Sequence, residues 1–274
     1  MQTFLNGKKI CRFSRCSIPI EVGVCNKTSG TNEFMRMADA TGFLFNADGK
    51  TFFVSNWHVF DGHEFDGKYT PIIKGQRLAL PEKLVIHSML NRQKVFLDLQ
   101  DKDGRPLWFY NRDLSIDIAI IKIETSTNKI IQKMGWLAIN EIWSQEDLSV
   151  EVADDVFIVG HPHGKRGSTE VNAMPIYKRG TVASEPELSY YSNRKSFLID
   201  STTRPGMSGS PVIAVSRNGY ISNGTICINS STYFKFLGVY SGRIDGDAAE
   251  ESSLGIVWDK SLIEDLITEL KTSN

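Results

Sequence analysis

Neither sign of charge dominates these 274 residues: Lys plus Arg number 31 and Asp plus Glu 32, a formal net charge of −1. That balance gives no global electrostatic reason to expect nucleic acid or an anionic membrane as partner. Long apolar runs are also missing. The opening MQTFLNGKKICRFSRC lacks the stretch of about 7–15 apolar residues that a secretory signal needs. Nothing approaches the roughly 20 apolar residues of a membrane helix. Cysteine is scarce: Cys11, Cys16, Cys25 and Cys227 are too few for a disulfide scaffold. Three cluster at one end and the fourth stands far off, unlike the two close pairs of a structural zinc site. Reduced thiols in a cytoplasmic protein are the expectation, with no metal and no other cofactor. Internal repeats and low-complexity tracts are absent.

What is present is an ordinary globular composition, 41% hydrophobic and 23% charged, which rules out wholesale disorder. At roughly 150 residues per domain, the length allows one large domain or two small ones. Short apolar or alternating runs recur between turn signals. Residues 41–45 (TGFLF), then Asp48-Gly49, then 51–55 (TFFVS) read as a hairpin. Further strands are expected at 18–25, 84–89, 94–99, 106–110, 117–123, 156–160, 176–184, 196–200, 211–215, 234–244 and 254–258, all rich in β-branched and aromatic residues. Arg217-Asn218-Gly219 reads as another hairpin turn. One helix is expected, at 261–271: Leu262, Ile263, Leu266, Ile267 and Leu270 share a face. Ser261 with Glu264 forms a capping-box pattern at its start, which makes Ser261 a cap rather than a nucleophile. The strand pattern lapses over 125–151, read as a connection between two halves. The pattern is all-β, either two barrels or a large sandwich.

Three segments carry chemistry. Ser208 lies in Gly206-Met207-Ser208-Gly209-Ser210-Pro211, just before a strand. A serine hydroxyl needs a base to become a nucleophile. Small neighbours expose it and let backbone N–H groups converge, as an oxyanion hole requires. Taken alone, such a segment is more often only a turn. His58, in VSNWHV, follows a strand, where a lone histidine is usually structural. Asp117 opens the run DIAIIKI, where a carboxylate is commonly a turn residue. Together they stand in the chain order His58, Asp117, Ser208, one of the known orders of the Ser-His-Asp triad. Asp113 is a rival acid without the Asp-Ile-Ala context.

These motifs resemble those of trypsin-like (chymotrypsin-fold) serine peptidases. They are most similar to the bacterial branch of HtrA/Deg-type protease domains and glutamyl endopeptidases. The likeness is carried in order by TGFLFNADGKTFFVSNWHVF, DIAIIKI, DVFIVGHPHG with YKRGTVAS, GMSGSPVI, and FLGVYSGR with LGIVWDKSLIEDLI. It runs from about Met37 to Leu270. It implies two six-stranded antiparallel β-barrels with a C-terminal helix: an extension over 1–16, a first barrel over 17–135 carrying His58 and Asp117, and a second over 136–274 carrying Ser208. His58 would be the general base, Asp117 its orienting acid and Ser208 the nucleophile. The N–H groups of Gly206 and Ser208 would form the oxyanion hole.

The sequence also departs from parts of that family. Secreted animal members carry an Asp before the nucleophile and a Cys after the catalytic His; here these positions hold Met207 and Val59. No PDZ-type domain follows the closing helix within these residues. By position, Thr202 and Thr203 should form the base of the substrate pocket, and Tyr240, Ser241, Gly242 and Arg243 its wall. No carboxylate stands at the base, which argues against a Lys or Arg preference. Ser201-Thr202-Thr203 resembles the glutamyl endopeptidases, yet those carry a His where Tyr240 stands. A small or medium uncharged residue before the cut is expected. His161-Pro162-His163 is read as a loop rather than a metal pair. Lys165-Arg166, Lys178-Arg179 and Arg194-Lys195 are read as a solvated rim. Residues 63–110 hold strands without an assigned role.

The expected function is a cytoplasmic serine endopeptidase acting on protein or peptide substrates through an acyl-enzyme, with an activating protein partner and no nucleic acid or membrane. A latent scaffold of the same fold, or an esterase using the same triad, are the alternatives. Arg204-Pro205 bears on the first of these, because Pro205 has no N–H to donate beside the oxyanion loop.

Overall fold

Alternating Val, Ile and Phe put every second side chain on one face of a strand. The chain uses this pattern to build two curved sheets. The computed structural model describes residues 2–5, 7–26, 33–63, 80–110, 116–142, 144–164, 173–190, 194–244 and 253–272. The first half contains β1 (Gln2–Leu5), β2 (Lys8–Cys11), β3 (Ile18–Asn26), β4 (Glu33–Ala47), β5 (Lys50–Ser55), α1 (Trp57–Asp61), β6 (Lys83–His87), β7 (Lys94–Asp98), β8 (Phe109–Tyr110), β9 (Ala119–Ile123) and α2 (Thr125–Lys133). The second contains β10 (Asp155–Gly160), β11 (Ile176–Val182), β12 (Ser196–Asp200), β13 (Pro211–Ser222), β14 (Thr225–Arg243), β15 (Leu254–Asp259) and α3 (Ser261–Thr272).

The architecture is the expected chymotrypsin-like all-β fold. In the second half, β10-β11-β12-β15-β14-β13 form a closed six-stranded barrel, sealed where Val156 pairs with Ala214 and Ile158 with Val212. Closure leaves no free sheet edge along the paired stretch. In the first half, seven strands curl in the order β7-β6-β3-β4-β5-β9-β8. Their two ends are drawn together beyond β7, where Gln100 bridges Pro106 and the Leu107 N–H donates to the Leu99 carbonyl at 3.0 Å.

Each sheet wraps its own apolar core. Leu84, Ile86, Phe53 and Trp136 fill the first, and Val156, Ile158, Val212 and Val257 the second. A third cluster lies between them: Phe43, Val54, Ile118, Ile213, Phe236 and Trp258. The apolar face of α3 covers this seam with Leu262, Ile263, Leu266 and Ile267. Burying each such side chain stabilises the fold by about 1.5–3 kcal/mol relative to exposure.

The Asp48-Gly49 hairpin forms as expected, with φ of 47° and 70° and Ala47 opposite Lys50. Those angles suit a turn that follows the strand twist. Arg217-Asn218-Gly219 is not the turn. Asn218 lies within β13, opposite a bulge of β14: Arg217 pairs with Thr232 and Gly219 with Ile228, so β14 carries two more residues than β13 over this step. The hairpin turns six residues on from Arg217, at Asn223-Gly224, with φ of 46° and 75°. The two Asn-Gly pairs carry the same turn chemistry, so the pairing register rather than local preference decides between them.

The region 125–151 is not wholly a lapse, because α2 begins there. Only Ile131 of that helix is fully buried, so its apolar stripe is too thin to read. At α3, the Asp259 carboxylate accepts the Ser261 N–H at 2.9 Å and the Ser261 hydroxyl at 2.6 Å. Asp259 therefore caps this helix, in place of the Ser261–Glu264 box. The N-terminal residues are built into the molecule. Phe13 packs on Phe234 with ring centroids 4.9 Å apart, and Arg15 Nε donates to the Gly135 carbonyl at 2.7 Å. The Ser17 hydroxyl donates to the Val159 carbonyl at 2.7 Å. Among the described residues no helix is long and apolar enough to cross a membrane.

Candidate active site

The end of β5 delivers Asn56 and then α1, whose first turn carries His58. Asp117 lies just before β9 and is fully buried. A buried carboxylate is tolerated only when its oxygens are hydrogen-bonded, and Asp117 meets that condition. Its Oδ1 accepts the His58 backbone N–H at 3.0 Å, and its Oδ2 lies 2.7 Å from His58 Nδ1. The Ser241 hydroxyl, from β14 across the seam, also donates to Oδ2. Asn56 Nδ2 donates to the Asp117 carbonyl at 2.7 Å, fixing the backbone. A carboxylate only accepts, so His58 Nδ1 carries the hydrogen and Nε2 is the ring's basic atom. The His58 side chain is 14% exposed.

Ser208 is partly exposed on the loop before β13. The loop is a series of tight turns. The Met207 N–H donates to the Arg204 carbonyl at 3.2 Å and the Ser210 N–H to the Met207 carbonyl at 3.0 Å. The Gly209 N–H donates to the Tyr240 carbonyl at 2.9 Å. Gly209 has φ of 79°, and a Cβ there would collide with the Thr41 carbonyl and the Ser55 hydroxyl, so only glycine fits. Met207 is buried in the second core, an apolar plug in the position where secreted animal relatives place an acid. The backbone N–H groups of Gly206 and Ser208 meet no acceptor among the described residues. His58, Gly206 and Ser208 line one cleft of about 610 Å³.

Thr203 and Tyr240 are buried and hydrogen-bonded to each other through their hydroxyls. Burial pushes the Tyr240 phenol above its ordinary pKa, so it stays protonated. Thr202 is exposed, while Gly242 and Arg243 are partly exposed. Ser241 uses its hydroxyl on Asp117. None of these six lines the 610 Å³ cleft, whose walls include Val22, Met37, Ala40, Val59 and Pro81. Neither these wall residues nor the Ser241 contact leaves a local signature in the sequence. His163 lines the cleft in a left-handed conformation, with φ of 52°. His161 is buried, its Nε2 3.1 Å from the Ser17 carbonyl. Arg179 of the expected basic rim pairs with Asp155 at 2.8 Å. Asp113 and Lys165-Arg166 lie outside the described residues.

A closed barrel and a curled sheet meeting at one cleft, with a histidine–aspartate pair beside a serine-bearing turn, define the class of chymotrypsin-like hydrolases. The family model for the trypsin-like peptidase domain matches residues 40–220, and the chain belongs to that family. It is a trypsin-like serine protease. A search of curated proteins finds no match. Among solved structures, the chain is similar to the inactive form of a mutant of the M. tuberculosis protein Rv3671c, with serine replaced by alanine. The identity is 14% and the TM-score 0.50, over 95% of this chain and 89% of that one. It is also similar to the active form of the M. tuberculosis Rv3671c protease, at 13% identity and a TM-score of 0.48, over 93% of this chain and 80% of that one. At these identities the likeness concerns the fold alone.

Proposed function

We propose that this protease is a serine endopeptidase in which Ser208 is the nucleophile, His58 the general base and acid, and Asp117 the residue that orients His58. The observation that carries this reading is the His58 Nδ1–Asp117 contact at 2.7 Å, which leaves Nε2 basic in a ring that lines the same cleft as Ser208. Nε2 takes the Ser208 proton as Oγ attacks the substrate carbonyl. The resulting oxyanion is held by the unengaged N–H groups of Gly206 and Ser208. The protonated His58 then gives its hydrogen to the leaving amine, and an ester on Ser208 remains. Water, deprotonated by His58, releases the acid and restores the serine. Asp117 stays ionised throughout and stabilises the imidazolium.

The substrate is a protein or peptide. We assign it a small or medium uncharged residue before the cut. The largely apolar wall of the cleft supports this, with Val22, Met37, Ala40, Val59 and Pro81 beside a single carboxylate, Asp39. We also place the protein in the cytoplasm, activated by a protein partner, and organised as barrels over 17–135 and 136–274. The decisive experiment is labelling with a fluorophosphonate probe. Wild type should label and Ser208→Ala should not. No labelling of either would leave a latent scaffold. Labelling with ester turnover but no peptide turnover would leave an esterase. A peptide-library digest dominated by cuts after Lys or Arg would overturn the substrate assignment.

A further inference from the structure

Each oxyanion donor belongs to a peptide unit whose carbonyl end is already held. Peptide units are planar and trans, so the N–H points away from the carbonyl across the same bond. The Gly206 N–H shares its unit with the Pro205 carbonyl, which accepts the His163 N–H at 2.6 Å. The Ser208 N–H shares its unit with the Met207 carbonyl, which accepts the Ser210 N–H at 3.0 Å. Two further carbonyls of the loop are held by a single residue, Thr41. Its hydroxyl donates to the Gly206 carbonyl at 2.8 Å, and its N–H donates to the Ser208 carbonyl at 2.9 Å. The same hydroxyl accepts the His161 N–H at 3.1 Å.

Thr41 thus ties the 161–163 turn to the nucleophile loop, and the turn in turn holds Pro205. The far end of the turn is also fixed, because a carbonyl can only accept and His161 Nε2–H therefore donates to Ser17. Gly206 has φ of 95°, where glycine rotates at little cost, so the neighbouring peptide unit depends on these outside contacts for its direction.

We infer that Thr41 is a positioning residue whose hydroxyl aims the Gly206 and Ser208 N–H groups at the reacting carbonyl. This rests on the reading of Ser208 as nucleophile. Without the hydroxyl, the buried Gly206 carbonyl loses this donor and the His161 N–H loses this acceptor. A turn of the Gly206–Met207 peptide unit in search of new partners changes the torsions on either side of it and shifts the two flanking units that carry the oxyanion donors. The loss then falls on the transition state rather than on ground-state binding.

The test uses the full chain as wild type, Thr41→Val and Thr41→Ser, with peptide p-nitroanilide kinetics and inhibition by a peptide aldehyde. For Thr41→Val, kcat should fall about 100-fold while KM stays within about twofold, as for a weakened oxyanion donor. Aldehyde affinity should fall in step with kcat, and Thr41→Ser should recover kcat to within about threefold of wild type. The inference is overturned by a folded Thr41→Val enzyme with near-normal kcat, by a loss confined to KM, or by a Thr41→Ser enzyme no better than Thr41→Val. If Thr41→Val does not fold, Thr41→Ala is judged by the same criteria. If neither folds, Thr41 is a packing residue and the inference fails. A wild type that neither labels with fluorophosphonate nor cleaves peptide sinks the hydrolase reading itself, a separate outcome.

Discussion

The hydroxyl of Ser241 donates to the carboxylate of Asp117, joining β14 of the closed barrel to the loop before β9 of the curled sheet. The carboxylate that meets His58 Nδ1 is thus fixed from both halves. Hydrogen bonds to a charged group contribute about 1.5–3 kcal/mol. Ser241→Ala is expected to lower kcat/KM by roughly tenfold or more, with a modest fall in melting temperature. Steady-state kinetics beside a thermal melt check both.

Asp117→Asn keeps the size of the side chain but offers an amide where His58 needs an acceptor. The imidazole then favours the wrong tautomer, and kcat should drop by about 10⁴-fold with the fold retained. A rate near that of wild type would remove Asp117 from the mechanism.

Gly209→Ala drives a methyl group into the Thr41 carbonyl and the Ser55 hydroxyl at a left-handed φ. Strain of this kind costs about 1–3 kcal/mol before the clash is counted. The expected result is a melting temperature several degrees lower and almost no fluorophosphonate labelling.

Leu266→Ala opens a hole beneath α3, in the cluster shared by the curled sheet and the closed barrel. A loss of about 2–5 kcal/mol in unfolding free energy is expected from urea titration. Because the cluster spans the seam, fluorescence and activity should be lost together rather than in two steps.

Burial pushes the Cys16 thiol and the Tyr177 phenol above their ordinary pKa values. Both groups hold their hydrogens more tightly folded than unfolded. Their stabilising contribution is therefore complete below about pH 8.5, the ordinary thiol value, and drains as pH rises beyond it. Cys16 alone should impose a slope of up to about 1.4 kcal/mol per pH unit there. Melts between pH 7 and pH 11 should show the decline, with a shallower slope in Cys16→Ala. Iodoacetamide should spare Cys16 in the native protein and reach Cys25 and Cys227, which are partly exposed.

The parts legible from sequence were those written locally. Asp48-Gly49 announced its hairpin because both positions need positive φ, and the apolar face of α3 recurred at helical spacing. Ser208, His58 and Asp117 stood out through the order and content of their segments. What stayed hidden depends on distant partners. Ile131 is the one fully buried anchor of α2, so that helix left no stripe. Asn218-Gly219 and Asn223-Gly224 look alike until the register of β14 is known. The bond from Ser241 to Asp117 and that from Thr41 to Gly206 span 124 and 165 residues, beyond any local pattern.

The placement of Phe13 to Ser17 between the halves also bears on when the protein becomes competent during its synthesis. This stretch leaves the ribosome early, yet its partners Val159, Tyr177 and Phe234 are made much later. Contacts so far apart in sequence form slowly, after large loops have closed. A nascent chain stopped short of residue 241 also lacks the hydroxyl that braces Asp117. The cleft and the contacts behind it are therefore complete only when segments from both halves of the chain are present.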